Sequence, residues 1–245
     1  MKKLHRGGSS PDGEPLSAGR VEYLEAARQR VRRRRLRRTA ILLAALILVT
    51  LFATGAVGAS IARVKDLVDT VHIALSPAVG WPQQTGLGDL TAVQPMSGSF
   101  AAMDEDACVV YSLGGTRLAG IQSGYARPAL AAGKTRFVLY NRSGNELRVE
   151  SRTQNLYSKT LENSIYLCAM SDTGTLAVAT DSADSTARLT VYTPTMSEQL
   201  HWDMTGTQGT PVRMAFAADS RRLAVAAVTS SAGQLQANLF VLSLA

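Results

Sequence analysis

Between Thr39 and Ile61 the chain runs for 23 residues without a charge, TAILLAALILVTLFATGAVGASI. At 1.5 Å per residue such a helix is about 34 Å long, enough for a hydrocarbon core of ~30 Å. Immediately before it stand Arg32, Arg33, Arg34, Arg35, Arg37 and Arg38. The charges just beyond it, Arg63, Lys65, Asp66 and Asp69, balance. This asymmetry predicts a single transmembrane helix over 39–61, with the N-terminus in the cytoplasm and the remainder outside the cytoplasm. The competing reading is a cleaved signal peptide, because Val57-Gly58-Ala59 offers small residues suited to cleavage. An apolar run longer than the usual 7–15 residues and a long basic leader favour an uncleaved signal-anchor.

The same arginines account for the net charge of +7. Residues 1–38 hold 12 basic and 4 acidic side chains, and residues 39–245 hold 14 and 15. The basicity thus belongs to the tail, which argues against a folded nucleic-acid-binding surface. Arginines beside a span are expected to sit among anionic lipid headgroups. Residues 1–19, rich in Gly, Ser and Pro, read as a disordered tail, and 20–38 as an Arg-rich juxtamembrane helix. Beyond the span, Ile61, Val64, Leu67, Val68, Val71 and Leu75 recur at three- and four-residue spacing. They predict a stalk helix over 62–76, ended by Pro77, and a Gly/Pro-rich linker over 77–95.

From residue 96 the texture is that of short β-strands. Expected strands are 107–111, 117–122, 136–141, 146–151, 164–170, 175–180, 187–193, 212–217, 222–228 and 236–244, separated by turn residues such as Ser171-Asp172-Thr173-Gly174. Three segments repeat one layout of apolar strand, polar turn and apolar strand. Aligned at Phe137, Leu176 and Leu223, they lie 39 and 47 residues apart. A shorter echo relates Tyr111–Leu118 to Tyr140–Leu147. A period of ~40–45 residues suits blades of a β-propeller, since one blade cannot bury both of its apolar faces alone.

The stretch Ala217-Ala218-Asp219-Ser220-Arg221-Arg222-Leu223-Ala224 resembles the strand–turn–strand signature of propeller repeats. The whole layout, and in particular Gly124–Leu130 followed by Lys134–Arg142, resembles a family of bacterial single-span membrane proteins with an extracytoplasmic WD40/TolB-like propeller domain of unknown function. The resemblance implies a mainly β fold, a partial or truncated propeller of about three to four blades preceded by one transmembrane helix. It transfers no site residues. The 150 residues from 96 to 245 fall short of four full blades of ~40 residues. The apolar strand 236–244 therefore suggests either a truncated chain or a domain completed by a partner.

Candidates for chemistry are few. Asp172-Thr173-Gly174-Thr175 matches an aspartic-protease motif, but it aligns with Gly133 and Asp219 as a repeat turn. Asp104-Glu105-Asp106 lacks the spacing of a calcium loop and reads as a solvated turn. Cys108 and Cys168 lie in apolar strands and read as two buried thiols rather than a disulfide. His72 reads as a surface or packing residue on the stalk, and Trp202 as blade packing. Asn141-Arg142-Ser143 is a glycosylation sequon, relevant only in a eukaryotic secretory pathway. No catalytic, cofactor or metal residues are assigned. The expectation is a non-enzymatic, membrane-anchored module that binds an extracytoplasmic protein or envelope ligand. Its rivals are an envelope hydrolase using propeller-face carboxylates and a single-span signal transducer. Cysteines placed at Ser10 and Ser231 test the topology. In intact cells an impermeant thiol reagent should spare the first and label the second, and the reverse pattern contradicts it.

Overall fold

The computed structural model describes residues 56–244, with side chains from Asp66 onward. The expected span 39–61 lies outside the described residues except for its last six, which open helix α1 (Ala56–Leu75). Among the described residues, no helix is long and apolar enough to cross a membrane.

Fifteen strands follow α1 and form four antiparallel sheets. The first sheet is β1 (Ala92–Met96), β2 (Ser99–Met103), β3 (Ala107–Ser112) and β4 (Arg117–Gln122). The second is β5 (Pro128–Ala132), β6 (Arg136–Asn141), β7 (Glu146–Ser151) and β8 (Asn155–Thr160). The third is β9 (Ile165–Met170), β10 (Leu176–Thr180), β11 (Ala187–Tyr192) and β12 (Glu198–Met204). The fourth has three strands, β13 (Thr210–Phe216), β14 (Arg222–Ser231) and β15 (Gln234–Ser243). Each sheet is a simple meander, and the first strand of each meets the first strand of the next: β1 against β5, β5 against β9, β9 against β13. This is the blade-to-blade stacking that the repeat anticipates.

Strand periodicity explains how the sheets bury both faces. In β6, Phe137 and Leu139 face the first sheet, while Val138 and Tyr140 face the third. In β10, Leu176 and Val178 face the second sheet, and Ala177 and Ala179 the fourth. Apolar residues at successive positions, as in RFVLYN, are what a strand sandwiched between two sheets requires. The three aligned positions are equivalent, as expected. Phe137, Leu176 and Leu223 each follow a turn, each lies in the second strand of its sheet, and each fills the interface with the preceding sheet. The turn before β6 requires Gly133, because a Cβ there would lie 2.1 Å from the Ser171 carbonyl oxygen of the neighbouring sheet.

The ten expected strands all form, but five more were not foreseen: β1, β2, β5, β8 and β12. Strands β2 and β5 are rich in alanine, SFAAM and PALAA, a residue that carries little β signature. In β5, small residues suit a first strand that lies against both β1 and β9. The outer strands β8 and β12 are mostly exposed and polar, NLYSKT and EQLHWDM. Strand β1 begins inside the stretch read as linker 77–95. It tolerates Pro95 because its outer edge has no strand to donate to.

The rest of that stretch is a cap rather than a free tether. Trp81 packs against Phe100 and Tyr111, with ring centroids 5.7 and 5.6 Å apart, and Leu87 joins them on the outer face of the first sheet. The Trp81 indole donates to the Leu113 carbonyl (2.9 Å), and the amides of Val79 and Gly80 donate to that of Gly114. Gly115, at φ +85°, lets this segment pass so closely that a Cβ would meet the Gly80 oxygen at 2.3 Å.

Truncation of Phe137, Leu176 or Leu223 to Ala should each destabilise the domain by ~2–5 kcal/mol in denaturant unfolding. Ala at the turn residues Thr173 or Arg221 should change it by less than ~0.5 kcal/mol. Equal sensitivity of both sets contradicts the equivalence.

Candidate functional site

Three surfaces carry the chemistry of the described residues. The first is the end of the sheets formed by the turns β1–β2, β5–β6, β7–β8 and β11–β12, onto which α1 docks. Ser151 ends β7 and its hydroxyl accepts from the amides of Thr153 and Gln154 (3.3 and 3.2 Å), which turns Arg152 inward. Arg152 is 1 % exposed. Its guanidinium donates to the carbonyls of Ser97 (2.9 Å) and Asp66 (3.2 Å) and to the Thr70 hydroxyl (2.6 Å). Burial pushes it below its ordinary pKa, and the carboxylates of Asp69 and Asp66 act in the opposite direction. Arg136, at the start of β6, donates to Asp66 (3.2 Å) and to the Pro194 carbonyl (2.7 Å). Thr135 donates to Asp66 and Thr153 to the buried Asp69 (2.8 Å). The helix read as a stalk over 62–76 is therefore held against the β domain through its polar face.

The second surface is a groove of about 410 Å³ between β8 of the second sheet and β11–β12 of the third. Lys159 lies over the Tyr192 ring, 4.4 Å from its centroid, with Glu162, Arg188 and His201 around it. Arg188 and Asp203 form a bidentate pair (2.6 and 3.2 Å), which raises the pKa of the arginine and lowers that of the carboxyl. Such charge-assisted, bidentate pairing holds the two charges in place.

The third surface is the outside of the fourth sheet. Leu223, Val225 and Ala227 of β14 face the third sheet, as do Phe240 and Leu242 of β15. The alternate residues face outward, with Leu239 71 % and Val241 61 % exposed beside the half-buried Ala224, Ala226 and Val228. Both faces of β15 carry apolar side chains over 239–242, and among the described residues only one of them is covered. Among the described residues no further strand pairs with the outer edge of β15, and its ten residues carry no charge and no proline. Native edges are ordinarily blunted by such residues.

The residues singled out from sequence fall into structural roles. Asp172 lies in the β9–β10 turn, 2.8 Å from the Lys134 ammonium, and Asp219 in the β13–β14 turn, where it accepts from the Arg221 amide (2.9 Å). That bond and the neighbouring arginines hold the Asp219 carboxyl below its usual pKa. A proton-sharing dyad demands the opposite for one member. Asp104 is a correction, because it is buried rather than solvated. It accepts from the amides of Gly88, Asp106 and Ala107 (2.7–2.9 Å) and so ties the capping segment to the β2–β3 turn. Cys108 and Cys168 are free, as expected, and lie in different inter-sheet cores. Burial pushes the Cys108 thiol up to about 12, with Glu150 and Asp104 adding to it. His72 is exposed on α1. Trp202 packs edge-on against Phe240 at 5.1 Å. Arg32, Arg33, Arg34, Arg35, Arg37 and Arg38 lie outside the described residues. Arg136 and Arg152 were missed as functional residues, since a single arginine in a turn carries no periodic signal.

The model of the Family of unknown function (DUF5711) matches residues 79–244, which takes in the capping segment and all four sheets. The chain belongs to this family. No curated protein matches it. Among solved structures it is similar to Hsv2 of Kluyveromyces marxianus (13 % identity, TM-score 0.49, 63 % of this chain and 47 % of that one). It is also similar to the Pan2 WD40 domain of Neurospora crassa (9 %, 0.44, 63 % and 48 %) and to BamB of Moraxella catarrhalis (13 %, 0.42, 55 % and 42 %). The chain spans about half the length of these structures or less.

The Asp104 clamp predicts a pH response. Its three amide donors lower the folded pKa, so its contribution is present above the unfolded value near 4 and is lost as the pH falls through the lowered one. Acidification should release Trp81 from Phe100, read as a change in tryptophan fluorescence and faster exchange at the Gly88 amide. Asp104→Asn should remove that pH dependence, and an unchanged transition in the variant contradicts the clamp.

Proposed function

We propose that this chain is a non-enzymatic, membrane-anchored module that presents its β domain outside the cytoplasm and binds a protein or cell-envelope ligand there. The observation that carries the binding role is the outside of the fourth sheet, an uncharged strand edge beside exposed Leu239 and Val241. An added strand would find a row of backbone donors and acceptors for affinity, and the apolar face beside it would supply selectivity. The uncharged stretch 39–61 and the arginines before it support the anchor, with anionic lipid headgroups as the partners of Arg32–Arg35, Arg37 and Arg38. No cofactor, metal or nucleic acid enters this reading. The hydrolase alternative would rest on Asp172 and Asp219, of which the first is paired with Lys134 of the neighbouring sheet and the second accepts from an amide of its own turn. The transducer alternative would rest on the tail, and its deletion without effect would remove it.

Full-length chain carrying Val241→Cys tests the binding role. The alkylation rate in intact cells should be at least several-fold slower than in the purified chain, while Ala183→Cys, on the exposed β10–β11 turn, should react equally in both. Equal rates at Val241 contradict the reading. Asp172→Ala with Asp219→Ala should leave the protection intact.

A further inference from the structure

Helix α1 is docked the wrong way round for a helix on a globular domain. The residues turned to the β domain are Asp66, Asp69, Thr70 and Ile73, three of them polar. The large apolar side chains point away, with Leu67 63 %, Val68 61 %, Val71 50 % and Leu75 78 % exposed. Nothing among the described residues covers this face.

The spacing of the face identifies its occupant. Val57, Ile61, Val64, Val68, Val71 and Leu75 follow one another at intervals of four, three, four, three and four. That is an unbroken heptad seam, with Ile61, Val68 and Leu75 at a and Val57, Val64 and Val71 at d. In the same register Asp66 and Ile73 are f, Asp69 is b and Thr70 is c, all opposite the seam. The β domain therefore occupies the side of α1 that a two-stranded coil leaves free. A lipid surface imposes no 3.5-residue period, and it calls for a polar face turned to water. Here that face is engaged by Arg136 and Arg152.

We infer that α1 pairs with α1 of a second copy of this chain as a parallel two-stranded coiled coil. Ile61 and Val68 at a suit two strands, whereas the valines at d do not discriminate, so a trimeric mass in sedimentation would overturn the two-stranded form. Across a parallel pair the facing g and e positions are Ser60 with Lys65 and Leu67 with His72, so no like charges meet. The four seam positions beyond the proposed span, Val64, Val68, Val71 and Leu75, together with Leu67 from each helix, at roughly 60–120 Å² per buried side chain, would remove about 600–1,200 Å² from water. That range brackets the ~1,000 Å² that a specific interface needs. The parallel sense rests on the proposed anchor, which would bring both helices out of one membrane.

The test uses the full-length chain in detergent or lipid nanodiscs. Val64→Cys and Val71→Cys, both at d, should each form a same-position disulfide under mild oxidation, whereas Ala183→Cys on the β domain should not. Sedimentation should show a dimer, and Val68→Asp with Val71→Asp should shift it to monomer with the unfolding transition of the β domain unchanged. Leu239→Lys with Val241→Lys at the β15 edge should leave the dimer intact. A monomeric parent chain, a dimer surviving in the aspartate variant, or a dimer lost only in the β15 variant overturns the inference. Should the aspartate variant fail to fold, the cysteine pair decides: disulfides at neither position overturn it, and a disulfide at one position alone overturns the parallel register.

Discussion

Two buried guanidinium groups, Arg136 and Arg152, hold together parts of the chain that are far apart in sequence. Arg152 reaches from the end of β7 to the β1–β2 turn and to α1, and Arg136 reaches from β6 to α1 and the β11–β12 turn. A buried ion pair gives little net stability over an apolar substitute, because desolvation offsets its attraction. What it does give is geometry. Removing either partner would strand the other without water, so the helix has one favourable seat. That seat directs the acidic side of α1 inward and, as a consequence, its apolar seam outward.

The two ends of the sheet series are treated differently. At the first sheet, residues 77–91 lay Trp81 and Leu87 over Phe100 and Tyr111, and Asp104 ties the segment down. At the last sheet the corresponding outer face has Leu239 and Val241 exposed, and among the described residues β15 pairs on one side only. Stacked sheets need cover at both ends of the series, and among the described residues one end has it. The asymmetry makes the fourth sheet the natural place for a partner, while the helix face is suited to a second copy through its period. The carboxylates of Asp172 and Asp219 are engaged at the turns, by Lys134 and by the Arg221 amide.

Much of this was legible in the sequence because both-faced burial writes itself into composition. Runs such as RFVLYN and ARLTVY sit between sheets, and ACVVYS between a sheet and the capping segment; all are apolar at successive positions, and the polar turns between them recur with the blade. The equivalence of Phe137, Leu176 and Leu223 followed from that spacing alone. Strands at the crowded inner side and at the wetted rim escaped notice, since PALAA and NLYSKT are shaped by space and solvent rather than by β propensity. The 77–95 stretch looked like a tether because its contacts are made by single residues, Trp81 and Leu87, without a repeat. The docking of α1 was hidden for a related reason. Asp66 and Asp69 resemble ordinary surface charges until Arg136 and Arg152, some 70 to 86 residues away, are brought beneath them.

The claim on which the rest depends is that α1 is seated by these buried charges. A double-mutant cycle on Asp66→Asn and Arg136→Met in the full-length chain, read by urea unfolding, measures it directly. The account predicts a coupling free energy of about 1–3 kcal/mol between the two positions. Effects that add to within ~0.3–0.5 kcal/mol would mean that the helix is not held by this pair, and would contradict the account.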